Sequence, residues 1–434
     1  MNIAVLGGGV EGNAVKKYFT EHGNHVQIFD GFKDEDIASF KLEDYDAVFR
    51  SPSVRPLDKS WTSMTKYFFD HCKAKIIGVT GTKGKGTTCS FITAILKEII
   101  KDSEWPSRNV WLVGNIGNPS IDVLDKIQED DVVVFEMSSF QLWDLTKSPN
   151  VAVVLRVEQD HLDRHFGLED YHNAKANITR YQTADDYCVY YSKNENSERI
   201  GNLSHGTKTT YPIARTEKVE ELLSVLNVPG EHNKENCEAA LMAVASYFKK
   251  DLNSLLSDQS IFNSIKTALS NFQGLPHRIQ FIRELNGVKY YDDNYSSAFP
   301  ATDVAIKTFE DRPLVLIAGG KDRHLDLSAM KRRIFDAKNI KKVILIGETK
   351  EQLAENEYPE KYILAETLEE AVDAARDIAE QIADDTSQNY NLCLPVTEPL
   401  HPVVLMSPGA ASFDMFKNFE DRGQQFQALV KNLK

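Results

Sequence analysis

Lys75-Ile76-Ile77-Gly78-Val79-Thr80-Gly81-Thr82-Lys83-Gly84-Lys85-Gly86-Thr87-Thr88 reads as a strand, a glycine loop and the start of a helix. The β-branched run suits a buried parallel strand, and the glycines let the chain turn tightly at its end. A helix beginning near Thr87 presents backbone N–H groups that have no intrahelical acceptor. Together with the Lys85 ammonium, such N–H groups cradle the β and γ phosphates of a nucleoside triphosphate. A plain glycine turn with incidental lysines does not account for the strand–loop–helix order. In the general P-loop pattern a Ser or Thr follows the lysine and its hydroxyl meets Mg²⁺. Gly86 stands there instead, with Thr87 and Thr88 after it, so the hydroxyl is left unassigned.

Outward from this loop, short β-branched runs alternate with amphipathic stretches, the pattern of an α/β protein with parallel sheets. The reading is three domains: a small Rossmann-like N-terminal domain (1–70), a central P-loop ATPase domain (71–274) and a Rossmann-like C-terminal domain (275–434). The first has strands at 2–6, 25–30 and 46–49, a helix from about Asn13, and a proline-containing stretch at 51–56. It is too short for a full two-halved dinucleotide domain. The central domain adds strands at 131–135 and 151–157 and a helical stretch at 235–248. The last has strands at 314–318, 343–346 and 403–406, each ended by a turn, and an acidic helix near 368–383.

The 434 residues are 42% hydrophobic and 26% charged, which excludes wholesale disorder. A net charge of −14 excludes an extended surface for nucleic acid or an anionic membrane, but not a local basic pocket. Cys72, Cys89, Cys188, Cys237 and Cys393 are scattered, odd in number and never CxxC, so reduced thiols are expected rather than disulfides or zinc. No apolar run approaches a membrane span, and the N-terminus runs from a strand straight into glycines. A cytoplasmic, monomeric protein with small-molecule partners is expected, without nucleic acid or membrane.

Gly7-Gly8-Gly9-Val10-Glu11-Gly12 satisfies G-x-G-x-x-G, with Asp30 ending the next strand as a ribose-hydroxyl acceptor. On the motif alone, a pyrophosphate site and an empty βα turn weigh equally. If a nucleotide binds there, the short domain favours one nucleotide end over a complete NAD site. Glu136 ends the run 131–135, the strand edge where α/β sheets place ligands. His161, in Gln159-Asp160-His161-Leu162-Asp163-Arg164-His165, follows the run 151–157. Both suit a metal beside the phosphates: Mg²⁺ takes oxygen ligands, and a histidine implies that Mn²⁺ is tolerated. His165 reads as a solvated loop histidine.

At this point the chain resembles the Mur ligases of peptidoglycan precursor synthesis, in particular the D-glutamate-adding branch. The resemblance rests on GTKGKGTT (81–88), GNIGNP (114–119), EMSSFQL (136–142), DHLDR (160–164), GEHNKEN (230–236), GLPHR (274–278) and SPGAASFDMFKNFEDRG (407–423). It implies an ATP-dependent, ADP-forming ligase that joins D-glutamate to UDP-N-acetylmuramoyl-L-alanine through an acyl phosphate. By the same resemblance Gly81, Thr82, Lys83, Gly84, Lys85, Gly86 and Thr87 bind ATP phosphates, and Asn233, Asn236, Arg278 and Asp293 contact the nucleotide. Glu136 holds one magnesium; His161 and Lys175, the latter as a carbamate, hold a second. Asn115 belongs to the active site. Arg323, Ser412 and Phe419 hold the incoming amino acid, and Gly9, Val10, Glu11, Gly12 and Asp30 hold the UDP end of the acceptor.

Three positions depart from that pattern. Gly86 replaces the hydroxyl residue, Tyr295 stands where the D-glutamate enzymes usually have lysine, and Arg323 stands near another such lysine. Arginine retains a cationic, bidentate grip on a carboxylate. Glu11 sets a negative charge beside the expected diphosphate, which is awkward unless it turns towards solvent. A ligase for L-glutamate or another amino acid, a folate polyglutamate synthase, and a non-enzymatic UDP-sugar and ATP sensor stay open as alternatives; an NAD oxidoreductase leaves the P-loop unexplained.

Overall fold

The computed structural model describes residues 1–101, 108–160, 164–324, 326–354, 359–390 and 401–434. His161 and Cys393 lie outside the described residues. Cys72, Cys89, Cys188 and Cys237 are free thiols. Among the described residues no helix is long and apolar enough to cross a membrane.

Three sheets follow one another along the chain. The first comprises β1 (Asn2–Leu6), β2 (His25–Phe29), β3 (Ala47–Arg50) and β4 (Thr62–Ser63), all parallel in the order β2-β1-β3-β4. The second comprises β5 (Lys75–Thr80), β6 (Val110–Gly114), β7 (Val132–Glu136), β8 (Val151–Val154), β9 (Tyr187–Tyr191) and β10 (Thr207–Tyr211), parallel in the order β10-β9-β8-β5-β7-β6. The third comprises β11 (Gln280–Leu285), β12 (Val288–Asp292), β13 (Leu314–Gly319), β14 (Ile340–Ile346), β15 (Tyr362–Leu364) and β16 (Val403–Met406), in the order β11-β12-β16-β13-β14-β15. β11 runs antiparallel to β12, an edge hairpin absent from the sequence reading. By packing, the chain makes two compact units: residues 1–226 with 231–272, and residues 227–230 with 273–434. The first two sheets share the first unit.

Continuous apolar runs explain why the P-loop strand is central. Ile77, Val79, Val132, Val133, Val134, Val151 and Val153 are buried in adjoining strands, as parallel strands covered on both faces require. β7 runs one residue further than the sequence reading, so Glu136 is its last residue and pairs with Val79 of β5. β8 stops at Val154, earlier than expected: the Leu155 N–H still donates to the Thr80 carbonyl (2.8 Å), but two residues on side chains take over. The Val157 N–H donates to Ser197 Oγ (3.2 Å) and Asn194 Oδ1 (3.3 Å) rather than to a strand. Both glycine-loop helices start sooner than expected, at Val10 and Lys85, directly after their glycines.

Arg50 joins the first sheet to the second. Its guanidinium, at the end of β3, forms a two-pronged pair with Asp144 (2.6 and 3.0 Å) and donates to the Phe140 (2.9 Å) and Val54 (3.2 Å) carbonyls. Ser63 adds a hydroxyl to Asp144 at 3.1 Å. The Arg50 side chain is fully buried, so each of its partners depends on it. Next to this pair lies Glu11, which turns inward instead of to solvent: Gln141 Nε2 donates to its Oε1 at 2.6 Å. Burial raises the Glu11 carboxyl to about 7; the Gln141 hydrogen bond and Arg50 oppose the shift, and Asp144 adds to it.

Two outcomes follow for unfolding in urea, read by tryptophan fluorescence. Arg50→Met strands a buried carboxylate and should cost about 3–5 kcal/mol, much of it recovered by pairing it with Asp144→Leu. Glu11 binds its proton more tightly folded than unfolded, so its contribution to stability falls as pH rises from the ordinary 4.5 through about 7. Glu11→Gln should therefore exceed the parent in stability at pH 8, with the advantage shrinking as pH falls; an equal margin at pH 8 and pH 5 would contradict it.

Candidate active site

The loop after β5 is shaped by its contacts. Gly84 has φ +85°, and a Cβ there would collide with the Asn236 carboxamide. That places Asn236, on the helix Glu231–Tyr247, directly against the phosphate loop, with half-buried Asn233 one turn earlier on the same face. Thr82 fastens the other side. Its N–H donates to the Arg156 carbonyl (2.9 Å), and its hydroxyl donates to the Glu158 carbonyl (3.1 Å) and accepts from the Glu158 N–H (2.8 Å). Lys83 is exposed, Gly86 is buried and Thr87 is half-buried. Thr88 is fully buried, and among the described residues its hydroxyl has no hydrogen-bond partner.

Two lysines converge on one carbonyl. Lys85 Nζ donates to Gly81 O and Thr82 O, both at 3.1 Å, and Lys175 Nζ donates to the same Gly81 O at 3.0 Å and to Thr80 Oγ1 at 3.3 Å. Lys175 reaches in from the helix Leu168–Arg180 and is 2% exposed. Burial first, then the Lys85 charge, hold its ammonium well below the usual lysine range, against the opposing pull of Asp160. A neutral amine is favoured there, and a neutral amine is the form that adds CO₂.

Glu136, at the end of β7, is 6% exposed. Its backbone carbonyl accepts from the Asn115 N–H at 3.3 Å, and a Cβ on Gly114 would strike that carbonyl, so the β6 turn lies flush on β7. The Asn115 side chain is exposed. Glu136 and Lys85 both act on the buried Cys89 thiol, which burial pushes far up, with Glu136 adding to the rise and Lys85 opposing it. Among the described residues no three His, Cys, Asp or Glu side chains cluster as a metal cage. A buried carboxylate beside a phosphate loop nevertheless fits magnesium, which takes one or two carboxylates and completes its shell with phosphate and water.

Sequence reasoning missed Tyr171, one turn before Lys175. Its hydroxyl meets Thr82 Oγ1 at 3.0 Å, and its ring lies 4.9 Å from Lys175 Nζ. The i to i+4 spacing of Tyr171 and Lys175 is the signal that could have found it. His165 corrects an expectation: it is 3% exposed, not solvated, and stacks on Phe140 with ring centroids 5.0 Å apart.

At the first glycine loop a Cβ on Gly12 would overlap the Gly7 carbonyl, and Ser51 Oγ donates to that carbonyl at 2.7 Å. Asp30 lies against Gly8, where a Cβ would meet its carboxylate at 2.6 Å. Gly9 is the N-cap of the helix Val10–Glu21 and Val10 is 77% exposed, so the start of this helix is open to a ligand.

In the second unit, the carboxyl ends of β12, β13 and β16 bring the remaining residues to one sheet edge. Asp293 is buried, accepting from Ser296 Oγ (2.6 Å), Ser407 Oγ (2.6 Å) and the Ile279 N–H (3.1 Å); burial raises its carboxyl to about 6 against those bonds. Tyr295 is 53% exposed, with the Arg278 guanidinium 5.5 Å over its ring and Phe419 edge-on at 5.5 Å. Ser412 is buried and Arg323 exposed. Fully buried Arg422 holds the loops in place, donating to Asn294 Oδ1 (2.6 Å) and to the Ala410 (3.2 Å) and Ala411 (3.4 Å) carbonyls.

Comparison with known proteins agrees with this geometry. The Mur ligase middle domain family matches residues 79–244. A UDP-N-acetylmuramoylalanine–D-glutamate ligase of Clostridium tetani is 33% identical over 91% of this chain and 84% of its own. The ligase of the same description from Acetivibrio thermocellus is 32% identical over 99% of this chain and 96% of its own. In fold, the chain is similar to MurF from Acinetobacter baumannii (TM-score 0.54, 15% identity, 92% of this chain and 89% of that one). It is also similar to Mycobacterium tuberculosis folylpolyglutamate synthase complexed with ADP (TM-score 0.52, 14% identity, 86% and 94%). Full-length relatives at this identity, the matched middle domain and the shared three-sheet fold agree: the chain belongs to the Mur ligase family.

Proposed function

We propose that the chain is an ATP-dependent ligase that adds D-glutamate to UDP-N-acetylmuramoyl-L-alanine in peptidoglycan precursor synthesis, working as a cytoplasmic monomer. The observation that carries this reading is the pair of lysines on the Gly81 carbonyl beside the Glu136 carboxylate, in a chain whose full-length relatives are D-glutamate ligases. The likeness to a folylpolyglutamate synthase, at 14% identity, speaks to fold alone.

In this reading residues 1–70 take the UDP end of the acceptor at Gly9, Val10, Glu11, Gly12 and Asp30. Residues 71–274 take ATP, with its phosphates on Gly81–Thr87 and Asn233 and Asn236 beside them. Residues 275–434 bring Arg278 and Asp293 to the nucleotide, and Arg323, Ser412 and Phe419 to the amino acid. Tyr295, between Arg278 and Phe419, replaces a lysine with an aromatic surface.

A carboxylate does not condense with an amine at neutral pH, because oxide is a poor leaving group. The acceptor carboxylate oxygen attacks the γ-phosphorus, ADP leaves, and an acyl phosphate forms. The glutamate amine then attacks the acyl carbon, loses a proton, and phosphate departs from the tetrahedral intermediate. Lys85 and the loop N–H groups hold the phosphoryl oxygens as charge shifts among them. Glu136, His161 and a carbamate on Lys175 would hold magnesium, with Mn²⁺ tolerated, and the metal supplies positive charge against the transferring group. Asn115, on the turn packed against Glu136, would lend its side chain to the same site. Water must be excluded while the acyl phosphate exists.

Offering the purified protein ATP, UDP-N-acetylmuramoyl-L-alanine and a panel of amino acids should release phosphate with D-glutamate above all others; release with L-glutamate or with a folate acceptor instead would overturn the assignment. Lys85→Ala should abolish product while circular dichroism stays unchanged, and near-parental turnover would remove the loop from the chemistry. Lys175→Ala should lose most activity and regain part of it in acetate, a small carboxylate; full activity without acetate would dispose of the carbamate.

A further inference from the structure

Glu136 and Lys175 sit on separate elements, a strand end and a helix, and their separation has to be fixed by something between them. The helix Leu168–Arg180 is tied to the turn after β7 on both sides of Lys175. Beyond Lys175, Asn177 Nδ2 donates to the Leu142 (2.9 Å) and Trp143 (3.3 Å) carbonyls. Before it, the tie runs through one imidazole: His165 Nδ1 meets Asp170 Oδ2 at 2.9 Å, and His165 Nε2 meets Ser139 Oγ at 2.9 Å. Ser139 follows Glu136 by three residues, and Asp170 precedes Lys175 by five.

The bonding fixes the proton positions. A carboxylate only accepts, so the neutral ring donates from Nδ1 to Asp170 and accepts at Nε2 from the Ser139 hydroxyl. Asp170 also accepts from Trp143 Nε1 (3.0 Å) and the Phe166 N–H (3.1 Å), which anchors it in the first turn of its helix. Phe140 stacks on the ring at 5.0 Å and Trp143 packs against it tilted, at 4.3 Å, which limits its rotation. In an open cleft a Ser–His–Asp chain activates the serine as a nucleophile. Here Ser139 is 2% and His165 3% exposed, so no substrate reaches the hydroxyl, and the chain acts as a clasp.

We propose that His165 is a positioning residue for phosphoryl transfer: through Ser139 and Asp170 it fixes the Glu136 turn relative to the Lys175 helix. This rests on the reading of Glu136 and Lys175 as the chain's oxygen donors to magnesium. Partners that orient metal donors from behind typically matter on the order of 10–100-fold in metal affinity or activity.

The test compares Ser139→Ala, which removes one hydrogen bond, with His165→Phe, which keeps the stacked ring and removes both. Ile344→Ala, in the core of the third sheet, measures a stability loss through an unrelated contact. Two quantities are read: the Mg²⁺ concentration for half-maximal activity, and the rise in melting temperature when Mg²⁺ is added with the non-hydrolysable analogue AMP-PNP. Ser139→Ala and His165→Phe should need on the order of tenfold more Mg²⁺ and lose much of the Mg²⁺-dependent rise, with KM for the UDP acceptor unchanged. The parental Mg²⁺ requirement in both, whatever their melting temperatures, overturns the clasp, as does a loss matching Ile344→Ala in kind. Glu136→Gln in parallel separates the two levels. A parental Mg²⁺ requirement there overturns the metal reading itself; a raised one there, with none in the clasp variants, overturns the clasp alone.

Discussion

Two ammonium groups that share one carbonyl oxygen in a buried place disfavour each other's charge. Lys85 and Lys175 share Gly81 O, and the protein resolves the conflict by unequal burial. Lys85 is partly exposed on the loop, whereas Lys175 is sealed beneath it and driven towards the neutral amine. Much of the first unit serves that arrangement. β5 lies between β7 and β8 so that Gly81 emerges where three strands end. Thr80 spends its hydroxyl on the Met137 carbonyl (2.9 Å) while accepting from Lys175, which stitches the lysine to the Glu136 strand as well.

The same unit solves a second problem, that of attaching a four-stranded sheet with a small core of its own. Ile3, Val5, Phe19 and Phe49 pack there with Ile121 from the larger sheet's side. One polar fastening is Arg50, whose burial adds little net stability but disfavours a shifted docking, which would leave the guanidinium and Asp144 unpaired. The first glycine loop is thereby held at a set orientation to the EMSSFQL turn, with Glu11 recording the closeness in its raised proton affinity.

What was legible in the sequence is what local chemistry dictates. The strand, glycine loop and helix of the phosphate site are consecutive, so spacing alone exposes them; Glu136 was placed by the end of an apolar run. Lys175 was visible only through family resemblance, since its burial depends on a helix packing under a loop 94 residues earlier. Reading Glu11 as solvated and His165 as a solvated loop residue failed for one reason. Each charge or ring is satisfied by partners far along the chain or in a turn of irregular shape, Gln141 for one, Ser139 and Phe140 for the other. The antiparallel β11 escaped notice because its alternation is broken at the register shift between Phe281 and Arg283.

The contact between Gly84 and Asn236 has a consequence for how such a sequence can vary. The left-handed backbone at position 84 already excludes most residues, and the carboxamide fills the space that a Cβ would need. A change at either position is therefore judged by the other. Enlarging 84 requires the carboxamide at 236 to move or shrink, which gives up its contact with the loop; reshaping 236 leaves a hole over the loop unless 84 grows, which its φ opposes. The two positions, 152 apart in sequence, form a single heritable unit, and drift in this protein has to go around them.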